Sequence, residues 1–311
     1  MTLLLLAFPE LATAGDAVAK ELGCDLRIID LHRFPDGESL VTLPENIAGR
    51  DVAILCTLRD PDRLALPLRF AAVTARELGA NHVGLIAPYL GYMRQDRRFA
   101  PGQAISAPLF AEFIEESFDW VVTVDPHLHR IPVLDRLFSI SAKRIAAAPL
   151  IADWIAAEVP DAVLLGPDSE SQQWVNDVAA LVGRPFEVLQ KVRTGDKNVE
   201  ISMPHSAALR DGTPVILDDI ASSGRTMVQA IERLVAAGTR PPVCLVIHAV
   251  FAGSAHDDIL AAGAARIVST NTIPHPSNVI DVSGLLARAS IDLIGTRKPA
   301  SRLIGKETRD E

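Results

Sequence analysis

The sequence predicts an α/β protein built on mainly parallel sheets flanked by helices, and three observations carry that prediction. First, five helical patterns end in glycine with a strand-like run directly behind: Gly23 before 26–29, Gly79 before 83–87, Gly183 before 186–189, Gly238 before 243–247 and Gly263 before 266–268. Glycine just past a helix takes left-handed backbone without a Cβ penalty, so this repeated punctuation marks successive αβ units. Second, Val215, Ile216 and Leu217 make a short β-branched and apolar run, as in a parallel strand covered on both faces. Third, hydrophobic residues make up 49% of the chain but aromatics only 5%, so its cores are built from Leu, Val, Ile and Ala. A length of 311 residues suggests two domains, with one large α/β domain as the alternative.

The opening run, Leu3 to Phe8, has no basic flank and meets Pro9 at once, so it reads as a first core strand rather than a secretory signal. No apolar run approaches the ~20 residues of a membrane span. Residues 38–43 alternate apolar and polar, which suggests a half-exposed, antiparallel piece. The first half then runs to a strand at 120–124. The second carries strands near 162–166, 186–190, 214–218, 243–249 and 266–270. The expected division is 1–143 and 144–295, followed by a charged tail at 296–311. With 30 Lys and Arg against 39 Asp and Glu, the net charge of −9 disfavours a nucleic-acid or acidic-membrane surface. Cys24, Cys56 and Cys244 are odd in number and show no CxxC spacing, so free thiols in a reducing compartment, the cytoplasm, are expected.

The stretch from Pro214 to Thr226 organises the functional reading. Val215, Ile216 and Leu217 form a buried strand; Asp218 and Asp219 follow; then come Ser222, Ser223, Gly224 and Thr226, and a helical pattern through Met227, Ile231 and Leu234. Strand, small polar turn and helix start make an anion cradle, because unpaired N–H groups and the helix dipole converge there. Carboxylates beside such a cradle repel a phosphate unless they face sugar hydroxyls or a cation. The local reading is a phosphorylated sugar with a metal nearby. The alternative is an ordinary βα turn with Ser as N-cap.

Other segments add charge in suggestive places. Arg94-Gln95-Asp96-Arg97-Arg98 sets three guanidinium forks within five residues of an acidic chain, a polyphosphate clamp or a solvated basic loop. Phe34-Pro35-Asp36-Gly37-Glu38 is an acidic turn with an aromatic able to stack on a base, although a surface turn is the commoner outcome. Asp125-Pro126-His127-Leu128-His129 follows a strand, and its His-x-His spacing lacks a third ligand nearby. Asp168 follows another strand as a helix cap, a metal ligand or both. Lys191, Arg193 and Lys197 sit in a cationic loop able to neutralise a transferring phosphoryl group, or merely exposed to solvent.

In their joint order these motifs, from about residue 30 to about 285, resemble the ribose-phosphate diphosphokinase (phosphoribosyl pyrophosphate synthetase) family. The Asp-Asp stretch is shared with type I phosphoribosyltransferases; the Arg-Gln-Asp-Arg and Lys-x-Arg pieces are far more specific to the synthetase. The resemblance implies two similar phosphoribosyltransferase-like domains with the active site where they meet. It implies that Phe34, Asp36 and Glu38 contact ATP from a neighbouring subunit of a homo-oligomer, with Arg94, Gln95, Asp96 and Arg97 completing the nucleotide site. By the same resemblance His127 and Asp168 belong to the Mg²⁺ environment. Asp218, Asp219, Ser222, Ser223, Gly224 and Thr226 hold ribose 5-phosphate, and Lys191 and Arg193 lie on a loop that closes over the reacting phosphates. Many relatives have Asp at position 222 and Gly at 225, where this chain has Ser222 and Arg225. The implied reaction moves pyrophosphate from ATP to the sugar's C1 hydroxyl. Rival readings are a non-catalytic regulatory subunit, in which the clamp or the Lys-x-Arg piece would be eroded, and a phosphoribosyltransferase, which has no use for the clamp.

Overall fold

The structure, a computed structural model, describes residues 2–128, 133–189, 191–193, 199–201 and 207–295. The first half contains β1 (Leu3–Ala7), α1 (Ala12–Leu22), β2 (Asp25–Ile28), β3 (Asp30–Arg33), β4 (Ser39–Thr42) and β5 (Asp51–Leu55). It continues with α2 (Pro61–Glu77), β6 (His82–Ala87), α3 (Ser106–Glu115), β7 (Trp120–Val124) and β8 (Ser141–Ile145). The second half contains α4 (Ala148–Glu158), β9 (Ala162–Gly166), α5 (Gln172–Val182), β10 (Phe186–Val188), β11 (Lys191–Arg193), β12 (Val199–Ile201) and β13 (Thr213–Ile220). It ends with α6 (Arg225–Ala236), β14 (Val243–His248), α7 (Ala255–Ala261), β15 (Arg266–Thr270), β16 (Asn278–Ile280) and α8 (Ser283–Ile291).

Two six-stranded sheets result, ordered β2-β1-β5-β6-β7-β8 and β10-β9-β13-β14-β15-β16, and every neighbouring pair in them is parallel. The layout is the same twice over. Each half starts at an inner strand, steps to one edge, sends out an antiparallel hairpin (β3/β4, then β11/β12) and works back across the sheet. All five junction glycines have positive φ, as the helix–Gly–strand reading requires. The alternating piece at 38–43 is β4, paired antiparallel with β3 and half exposed as expected.

Several strands lacked a sequence signal, β5, β8 and β16 among them. β5 follows no helix–Gly junction, and β16 has only three residues. β8 reads Ser-Ala-Lys-Arg-Ile and resembled a connection; it is an edge strand, where charged side chains are normal. It spans the expected boundary at 143, and the first sheet ends at Ile145. No described helix is long and apolar enough to cross a membrane.

One core joins the halves. Val122 and Val124 of β7 share a buried cluster with Leu164, Val215, Leu217 and Leu245 of the second sheet, and α1 packs on α8. The carboxyl ends of the sheets also meet through polar contacts. Thr57, just past β5, donates to the Thr272 carbonyl (2.8 Å), and the Arg59 guanidinium donates to the carbonyls of Val250 and Phe251 (2.9 and 2.8 Å). His248, wholly buried at the end of β14, reaches the Asp125 carbonyl from Nε2 (3.2 Å).

Two consequences are measurable. Gly84 of β6 lies opposite Trp120 of β7, and a Cβ on it would come within 1.9 Å of the indole ring. Gly84→Ala should therefore cost about 1–3 kcal/mol in urea unfolding, with part recovered when Trp120→Leu is added. Burial lowers the pKa of His248 to about 4, from an ordinary 6.5. Between those values the unfolded chain binds a proton that the folded chain does not, so stability should fall as pH drops from 6.5 to 4. His248→Gln should remove that component of the pH slope, read as the difference between the two unfolding curves.

Candidate active site

β13 runs through the middle of the second sheet, with Val215, Ile216 and Leu217 buried on both faces. The strand continues past the acidic pair to Ile220, so Asp218 and Asp219 are its third-last and second-last residues. Asp219 is buried, and its N–H donates to Oδ1 of Asp218 (3.0 Å). The turn 221–224 then enters α6. The residue at the N-cap is Gly224, in left-handed backbone (φ 69°), and no side chain caps the first turn. The alternative of a capping serine is therefore not what forms. The Ser222 carbonyl instead accepts from Ala252 (3.0 Å), which pins the turn to the chain following β14. Backbone N–H groups at this helix start are oriented for an anion.

One pocket is lined by Arg94, His127, Asp168, Glu170 and residues 218–227. Arg94 comes from the chain after β6, His127 from the chain after β7, Asp168 from the end of β9 and the acidic pair from β13. Four strand ends from two sheets thus converge, as expected where parallel strands deliver ligands to their carboxyl ends. His127 Nδ1 pairs with the Asp219 carboxylate across the junction, and its ring lies parallel to that of Trp174 (6.2 Å between centres, 11°). Asp168 is the cap of a 3₁₀ turn, accepting from the Glu170 N–H (3.0 Å).

The electrostatics are those of crowded carboxylates. Burial first, then the charges of Asp219 and Asp168, push the Asp218 carboxyl well above the usual range. Burial also raises Asp125, against the opposing help of the Ala147 N–H and the Arg144 guanidinium. Among the described residues no group of three or more His, Cys, Asp or Glu side chains is arranged to cage a metal ion. Mg²⁺ typically takes one or two carboxylates and completes its shell with phosphate oxygens and water. The Asp168 and Asp218 carboxylates beside an anion cradle fit an ion held that way; they do not fit a site made by protein alone.

The remaining residues singled out from sequence are distributed unevenly. Of the basic clamp, only Arg94 lines this pocket. Gln95 accepts from the Ser106 hydroxyl, Asp96 is half-buried, Arg97 lies over the Phe99 ring (4.8 Å) and Arg98 donates to the Gln103 carbonyl (2.8 Å). Phe34, Asp36 and Glu38 form the tip of the β3/β4 hairpin, where Glu38 N–H meets Asp36 Oδ1 (3.1 Å). They line a different cavity, with Leu66 and Phe70 of α2, and Phe34 is 41% exposed. Lys191 and Arg193 lie on β11, paired with β12, rather than in a loop. The β-branched Val192, Val199 and Ile201 account for this hairpin, and the charged residues between had masked it. His129 lies outside the described residues.

Sequence reasoning passed over Trp174 and His248, and gave Asp125 no role. His248 ends an apolar run, and the partner it meets is 123 residues away, so no local spacing could expose it. Asp125 carries a signal only in three dimensions. It and Tyr92 are the two non-glycine residues with positive φ among those described, and each stands two positions before a pocket residue, His127 and Arg94. Backbone held in such a sparsely populated region is commonly found beside functional groups.

Comparison with known proteins gives the family. A family model described as the N-terminal domain of ribose phosphate pyrophosphokinase matches residues 3–117, and the phosphoribosyl transferase domain matches 136–283. The ribose-phosphate pyrophosphokinase of Methanopyrus kandleri is 32% identical over 295 residues, covering 94% of this chain and 100% of that one. The ribose-phosphate pyrophosphokinase of Sulfolobus acidocaldarius is 33% identical over 265 residues, 82% of this chain and 89% of its own. In fold, the chain resembles the phosphoribosylpyrophosphate synthetase of Mycobacterium smegmatis, with a TM-score of 0.81 at 24% identity over 94% of this chain and 98% of that one. Alike from end to end, and with both family domains in the order of its two sheets, the chain belongs to the ribose-phosphate pyrophosphokinase family.

Proposed function

We propose that the pocket between the sheets seats ribose 5-phosphate on the turn after β13 and the triphosphate of ATP on the Arg94 side. The chain then transfers the β,γ-pyrophosphate of ATP to the sugar's C1 hydroxyl. The observation that carries this reading is the shared pocket: Arg94 of the first half lines it together with Asp218, Asp219 and the 222–226 turn of the second.

In this reading the N–H groups at the start of α6, with Ser222, Ser223 and Thr226, bind the 5-phosphate, and Gly224 permits the backbone turn. Asp218 and Asp219 accept from the ribose hydroxyls, and the pair with His127 keeps the Asp219 carboxylate at one angle. The C1 oxygen forms its bond to the β-phosphorus as the bond from that phosphorus to the α-phosphate oxygen breaks in line, leaving AMP. Such a transfer needs alignment and charge neutralisation more than covalent assistance. Arg94 takes the phosphates on the clamp side, with Gln95, Asp96 and Arg97 completing the nucleotide site. Lys191 and Arg193 on β11 neutralise charge as it develops. Mg²⁺ would be held on the Asp168 carboxylate, with His127 in its surroundings, and would supply charge neutralisation at the phosphates.

Phe34, Asp36 and Glu38 line a cavity apart from Arg94, and the tip they form is exposed. That separation supports their serving the nucleotide site of a neighbouring copy in a homo-oligomer. Both substrates are cytoplasmic metabolites, which is where we place the enzyme.

Incubation with ATP, Mg²⁺ and ribose 5-phosphate should release AMP in step with 5-phosphoribosyl 1-pyrophosphate; folded protein that releases none would exclude the transfer. Lys191→Ala should lower kcat by about a hundredfold while ATP affinity stays within about twofold, the pattern of a group acting in the transition state. Equal losses in both would remove that role. Phe34→Ala and Arg94→Ala should each be impaired alone, and mixing the two after dissociation and reassembly should restore part of the activity. Absence of any recovery would count against sites shared between copies.

A further inference from the structure

His248 takes no part in the roles above, yet both of its ring nitrogens are partnered. The ring is wholly buried. Its Nε2 faces the Asp125 carbonyl (3.2 Å), an atom that can only accept, so Nε2 carries the proton. Nδ1 is then the acceptor, and the Thr272 hydroxyl lies 2.9 Å from it. The Thr272 hydroxyl also lies 3.1 Å from the Ile247 carbonyl, but Thr270 already donates to that oxygen at 2.6 Å, and the ring nitrogen is the nearer acceptor for the Thr272 proton. The edge of Tyr89 closes one side (4.9 Å between ring centres). The pKa of about 4 noted above keeps the ring neutral near pH 7, and the two partners set which nitrogen holds the proton.

Asp125 is the other half of the argument. Its φ of 32° is an uncommon conformation for a side chain of this size. Its N–H donates to Ile145 (2.9 Å), and its carboxylate accepts from Ala147 (2.7 Å) and Arg144 (2.9 Å). These partners all lie at the end of β8 or just beyond it. The carbonyl contact from His248 is the one that comes from the second sheet. Two residues further on, His127 meets Asp219. His248 also pairs in register with Ile220, next to Asp219 in β13. One residue therefore touches the backbone carrying each partner of the His127–Asp219 pair.

We infer that His248 is a positioning residue for pyrophosphate transfer: by donating from Nε2 to the Asp125 carbonyl, it holds the strained turn that sets His127 against Asp219. The inference rests on the proposed role of Asp219 at the sugar. Loss of the donor lets the turn relax, the Asp219 carboxylate loses its fixed angle, and the attacking hydroxyl is misaligned. The segment that carries Arg94 meets His248 through a ring contact with the edge of Tyr89.

The test compares His248→Phe, which keeps a ring without the donor, His248→Gln, whose amide can place an N–H near the former Nε2, and Thr272→Val, which removes the hydroxyl that fixes the tautomer. Four quantities are read on the full chain: thermal melting, the affinity of a non-hydrolysable ATP analogue, steady-state AMP release, and the ¹⁵N imidazole signals of His127. His248→Phe should lower kcat by about tenfold to a hundredfold. The analogue should bind it within about twofold of wild type, and the hydrogen-bonded His127 signal should be lost. His248→Gln should recover most of both, and Thr272→Val should fall between. Folded His248→Phe with wild-type kcat and an unchanged His127 signal would overturn the inference, as would a His248→Gln no better than His248→Phe. If His248→Phe does not fold, Thr272→Val decides: unchanged kcat and an unchanged His127 signal overturn it. Wild-type protein that releases no AMP, while the His127 signal still responds to the variants, would sink the reaction and leave the positioning intact.

Discussion

Two parallel sheets meet here by the carboxyl ends of their strands, and most of the chemistry follows from that meeting. Strand ends carry loops, and loops in such sheets carry ligands. Joining two sets of ends makes one crevice to which β6, β7, β9 and β13 all deliver side chains. The junction needs strict pairing of its polar atoms, because an unmatched buried donor or acceptor costs on the order of 1–3 kcal/mol. Thr57 with Thr272, Arg59 with the 250–251 carbonyls and His248 with Asp125 meet that demand. Both halves are also committed to a common apolar cluster, so the site does not depend on polar contacts alone to stay assembled.

The balance of charge in the crevice is the second constraint. An acidic chain that handles phosphates has to separate its carboxylates from the anions it binds. It does so by height on one element: Asp218 and Asp219 stand on the strand, while the N–H groups of the turn and of α6 lie beyond them. Burial first, and then the charges of Asp219 and Asp168, raise the protonation threshold of Asp218.

The fold was legible wherever geometry is local. Glycine at a helix end is dictated by backbone sterics within a few residues, so five αβ junctions could be read directly, and with them the parallel sheets. β8 and the β11/β12 hairpin were not legible, since edge strands and short ribbons tolerate charged residues that resemble loops. The site divides along the same line. The acidic pair and its turn announce themselves within thirteen residues, whereas the link from His248 to Asp125 depends on how two sheets dock. The basic clamp lies between these cases. Its arginines were visible as a cluster, but the loop's own fold sends Arg97 and Arg98 to local partners and only Arg94 into the pocket.

The doubled layout has an evolutionary corollary. The β3/β4 and β11/β12 hairpins leave their sheets at corresponding steps, yet one ends in Phe34, Asp36 and Glu38 while the other carries Lys191 and Arg193. A gene that copies itself and fuses inherits two identical appendages on one frame. Divergence can then proceed in the hairpins alone, one acidic and aromatic at its tip, the other cationic along β11, with no rearrangement of the frame that bears them.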